Sequence, residues 1–199
     1  MGPGGQLVTE KLLYADNRTR WRAWLRKHYR TGKEVWLVFY KKHTGKARIA
    51  YNDAVEEALC FGWIDSTVRR IDEDSYAQRF SPRRPNSPYS QANLERLRRL
   101  AAEGKVAEEV LSALGELAAP GAPADGDPVV PPDILEAIRA SPGAWKNFQG
   151  FSPSYKRIRI AYIAGARKRP LEFQRRLRHF IRMTEKNRQF GFGGIEKYY

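Results

Sequence analysis

Between Arg79 and Ser90 the chain reads RFSPRRPNSPYS, which gathers the residue types suited to holding an anion. Arg83 and Arg84 carry planar guanidiniums, each able to fork two hydrogen bonds onto a phosphate or carboxylate. Ser87, Tyr89 and Ser90 add hydroxyls, while Pro82, Pro85 and Pro88 keep the segment out of helix. Ser90, or Ser87 ahead of Pro88, is placed to cap a helix whose unpaired N–H groups attract negative charge. Arg83, Arg84, Ser87, Tyr89, Ser90 and Asn93 are therefore candidate ligand-binding residues. A structural arrangement competes with this one. The same two arginines could pair with the acids of the Asp72–Ser75 turn, or with Glu56 and Glu57, and clamp the loop. The residues alone leave both open.

Three further positions could feed the same basin. Trp63-Ile64-Asp65 sits where a helix gives way to a strand, and strand alternation puts Trp63, Asp65 and Thr67 on one face. Asp65 could orient Arg83 or Lys41, or serve as an acid or base. Lys41 opens a basic KKHTGK stretch without the glycine spacing of a phosphate-binding loop. It joins the site if the strand ends lie side by side. An enzyme built around Asp65 and Arg83 is one alternative, but no reaction and no catalytic residue can be read. Cys60 follows Leu59 in an apolar helical turn and reads as a small core residue. One cysteine and three scattered histidines make no zinc pattern, and neither metal nor cofactor is indicated.

A second alternative lies near the C-terminus. Residues 156–188 carry twelve Lys or Arg against two acids. Arg167, Lys168, Arg169, Arg175, Arg176 and Arg178 form clusters that could contact nucleic acid. Tyr155, Tyr162, Phe173 and Phe180 fall among them, but at the spacing of a helical inner stripe, which makes them core and turns the bases outward. No helix-turn-helix, zinc finger or RNA-recognition signature accompanies them.

The elements that must position these residues follow from periodicity and breakers. Residues 1–11 read as a flexible lead and Leu12–Ala15 as a short strand. Asn17 or Thr19 caps a helix to about Tyr29, with Trp21, Trp24, Leu25 and His28 on one face; Gly32 stops it. Val35–Lys42 is a buried strand, and Asn52 caps the next helix. Trp63–Arg70 and Ser75–Phe80 form a hairpin. Helices follow over 93–103 and 106–117. Residues 118–132, with five prolines and two glycines, form a linker. Helices fill 133–188, Ser152-Pro153 and Pro170 marking two starts, and 189–199 is a tail. The class is α+β: about four strands in a mixed or antiparallel sheet over 12–117, then an all-helical unit.

Composition bounds the partners. With 36 Lys and Arg against 22 acids, the 199 residues carry a net charge of +14. That balance favours a small anionic ligand, an acidic protein surface or nucleic acid. A single cysteine permits no intrachain disulfide and suits a reducing compartment. No apolar leader and no window of about 20 apolar residues is present, so neither export nor a membrane span is expected, and the location read from the sequence is cytoplasmic.

Several of these strings together resemble the YdeI/OmpD-associated family, also called bacteriocin-protection proteins. They are Glu34-Val35-Trp36-Leu37 with Lys41-Lys42, Tyr51, Glu56 through Asp65 (EEALCFGWID), Phe80 through Pro85 (FSPRRP), and Ser87 through Asn93. Trp145 with Phe148, and Ser152 through Tyr155, continue the pattern in the second half. Ser66, Ser81 and Tyr89 depart from it, where Gly, Thr and Trp are usual. The resemblance implies a prokaryotic protein with a role in stress or antimicrobial resistance. It implies no accepted catalytic residues.

Overall fold

The computed structural model describes residues 12–85, 87–115 and 128–191. In chain order these form β1 (Leu12–Tyr14), α1 (Arg18–His28), β2 (Val35–Tyr40), a 3-10 turn (Lys42–Thr44), α2 (Tyr51–Cys60), β3 (Trp63–Arg70) and β4 (Ser75–Pro82). Six helices follow: α3 (Gln91–Ala102), α4 (Glu108–Leu114), α5 (Pro132–Arg139), α6 (Pro142–Gln149), α7 (Pro153–Ala164) and α8 (Pro170–Glu185). The α+β class with a helical C-terminal region is the one expected. Among the described residues no helix is long and apolar enough to cross a membrane. The lead 1–11, linker residues 118–127 and tail residues 192–199 lie outside the described residues.

The chain divides into two compact units, Met1–Pro88 with Gly104–Ala113, and Tyr89–Glu103 with Leu114–Tyr199. Helix α3 thus groups with the C-terminal helices, although periodicity alone attached it to the sheet.

The first unit is built on a four-stranded mixed sheet of order β1-β2-β4-β3. β1 runs parallel to β2, and the other pairs are antiparallel. β2 is central because VWLVFY offers apolar groups to both faces, and Val35 through Phe39 are all buried. β3 is an edge strand, exposed from Ser66 onward. A register irregularity between Asp65 and Val68 interrupts its ladder, a common way to blunt a sheet edge. The hairpin turn is closed by the Asp72 carboxylate, which accepts from Asp74 N and Ser75 Oγ, both at 2.8 Å.

Helix α1 starts where expected, with the Asn17 side chain accepting from Arg20 N at 2.9 Å. Trp21 stacks on Trp24 (5.4 Å), meets Phe80 of β4 (5.3 Å) and donates to Ala54 O at 2.9 Å. The start of α2 differs from expectation. Its N-cap is Ala50, without a side-chain cap bond, and Asn52 is a buried residue inside the first turn. A buried side chain packed within the helix cannot fold back to cap it. Helix α4 starts at Glu108, two residues later than expected, and residues 116–117 of its expected span lie outside the described residues.

The second unit is a helical core in which Ile134, Phe148, Tyr155, Ile163 and Phe180 are buried together. Ser141 and Ser152 cap α6 and α7, each followed by a proline at the first helical position. Tyr162, expected on the inner stripe of α7, is instead 47% exposed. The Arg176 guanidinium lies 3.7 Å from its ring centroid and donates to its carbonyl at 2.6 Å, an arrangement that needs the ring at the surface. Glu95 ties α3 to α7. Its carboxylate is buried and accepts from Arg157 Nε (2.6 Å), Ser154 Oγ (2.9 Å) and Gln91 Nε2 (2.8 Å). Burial works to raise its pKa, but the bonds from Arg157, Gln91 and Ser154 outweigh it and hold the carboxyl below its ordinary value.

Two predictions follow from these contacts. A Cβ at Gly32 would sit 2.9 Å from His28 O and 3.0 Å from the Trp63 ring. Gly32→Ala should therefore destabilise the protein by about 1–3 kcal/mol in urea titrations, the cost of overpacking. Glu95 has a depressed folded pKa, so the unfolded chain binds its proton first as pH falls. Its stabilisation is complete above its ordinary value near 4.5 and is lost as pH drops through the lower folded value. Urea midpoints measured from pH 6 to pH 3 should fall less steeply for Glu95→Gln than for the parent. Parallel profiles would show that the network leaves the Glu95 carboxyl unperturbed.

Candidate functional site

The Arg-Arg loop is held by its own backbone. Arg83 N donates to Gly62 O at 2.9 Å, and its guanidinium donates to Ser87 O (2.9 Å) and Pro88 O (3.1 Å). One guanidinium face is thus directed at loop carbonyls, and neither competing sequence reading foresaw that. The acids offered as clamp partners are engaged elsewhere: Asp74 with His43 (2.8 Å), Asp72 within its turn, and Glu56 and Glu57 with α1. Arg84 and Ser87 are exposed, and Arg84 shows no side-chain partner among the described residues.

The other candidates are dispersed. Trp63 is a core residue that donates Nε1 to Tyr29 O at 3.1 Å. Asp65 is half-buried and accepts from Tyr51 OH at 2.6 Å, so its proximal partner is a tyrosine and not an arginine. It pairs in register with Phe80, about 10 Å along the strand from Arg83. The expected shared face of Trp63, Asp65 and Thr67 ends at the irregularity after Asp65, and Thr67 is exposed. Lys41 follows Tyr40, which pairs with Ser75 at the start of β4. The loop leaves the other end of β4, about 23 Å away, so the condition for Lys41 to share its basin is not met. Tyr89, Ser90 and Asn93 belong to the second unit. There Ser90 caps α3 by accepting from Asn93 N at 3.3 Å, and Asn93 Oδ1 accepts from Arg96 at 2.8 Å.

The first unit instead assembles a site that the sequence reading missed. Arg18, Arg22, Arg26 and Arg30 recur every fourth residue and form a ladder along α1 and just past its end. Arg18 reaches Glu57 (2.5 Å), Glu56 (2.8 Å) and Asp53 (3.1 Å), and Arg22 reaches Glu57 at 2.6 Å. Glu56 and Glu57 are 1% and 2% exposed, so these guanidiniums neutralise buried carboxylates. Desolvation opposes the charge on Arg18, but the bonds it donates to Glu57 and Glu56 outweigh it and raise its pKa.

Past this network the ladder lines a cavity of about 600 Å³, with Arg22, Arg26, Tyr29, Arg30 and Phe61 on one side and residues 104–109 on the other. Its cations are positioned in advance. Arg22 lies over the Phe61 ring at 5.1 Å and donates to Lys105 O at 2.7 Å. Arg30 lies over the Tyr29 ring at 5.1 Å and pairs with Glu109, which also accepts from Tyr29 OH at 3.2 Å. Arg26 is exposed and shows no partner among the described residues. The wall opposite is pinned by Ala107 N donating to Cys60 O at 2.8 Å. The arginine spacing was visible in the sequence; the closing segment 104–109 was not.

Cys60 is buried behind this wall. Burial and the Glu57 charge push its thiol up to about 11 against the pull of Arg22, which suits a core residue.

In the second unit the six basic candidates separate into two kinds. Arg167 forks onto Asp133 (2.8 and 2.9 Å), Arg176 reaches Glu172 through Nε (2.7 Å), and Arg175 reaches Glu172 at 2.6 Å. Lys168, Arg169 and Arg178 are exposed, without partners among the described residues.

Residues 13–113 match the family described as a domain of unknown function (DUF8412), and residues 127–187 match the family described as Bacteriocin-protection, YdeI or OmpD-Associated. The first match covers just over half of the 199 residues, so the chain belongs to that family. Its C-terminal region carries the YdeI/OmpD-associated, bacteriocin-protection domain. The EEALCFGWID and FSPRRP strings fall inside the first match, and Trp145, Phe148 and Ser152–Tyr155 inside the second. Searches of curated proteins and of solved structures found no match.

The buried, raised thiol gives a direct check on this arrangement. At pH 8 iodoacetamide should leave Cys60 of the native protein unmodified over a period in which it alkylates the urea-unfolded chain completely. Rapid native alkylation would show that the α1–α2 network leaves the thiol accessible.

Proposed function

We propose that this family member is a binding protein for a small anion bearing phosphate or carboxylate groups, held in the arginine-lined cleft beside α1. The observation that carries the reading is Arg26, an exposed guanidinium in a cavity of about 600 Å³, between Arg22 and Arg30, both already oriented by other groups. That volume lies within the usual range for small-molecule sites. Guanidiniums held by ring faces and neighbouring oxygens lose little freedom on binding, which favours a planar anion. The strongly basic composition supports a negatively charged partner, and the single cysteine supports a reducing, cytoplasmic setting. The family description supports a role in protection against antimicrobial proteins. Binding is assigned, and no reaction.

A second placement has one observation in its favour: Arg84 on the Arg-Arg loop is exposed and has no partner among the described residues. Calorimetry with inorganic phosphate, pyrophosphate and citrate decides between the two. At least one of these probes should bind, and Arg26→Ala should weaken it by about 1.5–3 kcal/mol, the contribution of a hydrogen bond to a charged group. Arg84→Ala should leave it unchanged. Loss of binding on Arg84→Ala alone would move the site to the loop, and no heat with any probe would end the small-anion reading.

A further inference from the structure

We infer that the outer face of α8 is a nucleic-acid-binding surface, with Lys168, Arg169, Arg178 and Arg182 as its phosphate contacts. Helix α8 has two well-separated faces. Phe173, Leu177 and Phe180 are buried in the core of the second unit. Leu171, Arg175, Arg178 and Arg182, spaced i, i+4, i+7 and i+11, are all exposed and form one straight stripe. Lys168 and Arg169, also exposed, lie just before the helix begins.

The ion pairs reduce the run of cations to a smaller working set. Arg167 is matched by Asp133, and Arg175 and Arg176 share Glu172, so these three arginines and two carboxylates add only one net positive charge to the outward field. Among the described residues Arg182 bonds only a histidine, His179, at 3.1 Å. The four remaining cations therefore keep their full charge, Arg178 and Arg182 on the stripe and Lys168 and Arg169 just before the helix. From residue 171 to residue 182 the stripe spans about 16 Å. Over that length a DNA duplex presents roughly ten phosphate charges, so a linear polyanion fits a linear row of cations.

An anionic bilayer is the less suited partner. A helix lying in a membrane interface sinks its apolar face among the acyl chains, and the apolar face of α8 is already inside the protein. Leu171, at 88% exposed, is the one apolar side chain on the stripe. The stripe also carries no aromatic platform for stacking unpaired bases. Contact with the backbone, independent of sequence, is the mode it supports.

The experiment is fluorescence anisotropy of the full-length chain with a short DNA duplex and with a double-stranded RNA of equal length, titrated across salt. Binding at about 50 mM salt should weaken steeply with added salt, because each phosphate contact releases counterions. The Lys168→Gln, Arg169→Gln, Arg178→Gln variant should lower the log–log salt slope by about two to three, at about 0.9 per lost contact. An equal change of three exposed lysines outside the stripe, Lys27→Gln, Lys33→Gln, Lys42→Gln, should leave the slope within about one. No binding of either duplex at low salt overturns the inference. So does an equal fall in slope with the control variant, which would assign the effect to net charge. Binding to vesicles containing anionic lipid that needs the stripe, without binding to nucleic acid, would reassign the face to a membrane and also overturns it.

Discussion

Two buried carboxylates govern the first unit. Glu56 and Glu57 sit on the covered side of α2, and a carboxylate removed from water without a partner costs several kcal/mol. Arg18 and Arg22 offset that cost, and both must face α2 to do so. Because they lie one helical turn apart, this single requirement sets the rotation of α1 about its axis. Trp21 and Leu25 then turn inward, where Trp21 meets Phe80. Arg18 reaches Asp53, Glu56 and Glu57, and Arg22, one turn later, shares Glu57. The ladder continues beyond the C-terminus of α2, and Arg26 and Arg30 emerge where residues 104–109 cross. The cleft follows from how the core is neutralised.

The second unit answers the same problem with Glu95. Its carboxylate receives Arg157, Ser154 and Gln91, and Arg98 approaches at 3.3 Å. Here the buried acid lies on α3 and its principal cation on α7, so the pair fixes which helices are neighbours. Apolar faces alone would not have selected it, since leucine stripes pack against many partners with similar energy. Burying an ion pair is seldom a gain over a well-packed apolar pair. What these pairs add is a strong penalty on any arrangement that separates them.

Much of the fold was legible because it rests on local chemistry. Asn17, Ser90 and Ser152 cap the helices they were expected to cap, and the hairpin closes at the Asp72–Ser75 turn. The departures share one physical cause. Tyr162, beside Arg176, and the grouping of α3, through Glu95 and Arg157, each depend on a partner further along the chain, and sequence spacing carries no information about such partners. The same holds for the site. The Arg-Arg loop drew attention through density of polar residues in one short window, yet Arg83 is turned onto carbonyls four and five residues ahead. The α1 ladder was spread over a helix that had been read for its aromatic face, and half of the cleft comes from a segment more than seventy residues later.

Net positive charge, read from composition, pointed to anionic partners without saying where they would bind. Position alone does not say either, since Arg167 and Lys168 are adjacent and play different parts. What separates them is the carboxylate within reach of one and not the other. A guanidinium that already shares its hydrogen bonds with Asp or Glu has little left for a ligand, because an arriving anion must compete with a partner held at high local concentration. A neighbouring cation without such a partner has both charge and donors to offer, and it stands on a scaffold stiffened by the engaged ones. Arg26 beside Arg22 and Arg30, and Arg178 beside Arg175, have this relation. In both units the ion pairs that hold the helices together also leave an unneutralised cation next to them, and recognition of anions is best sought at those positions.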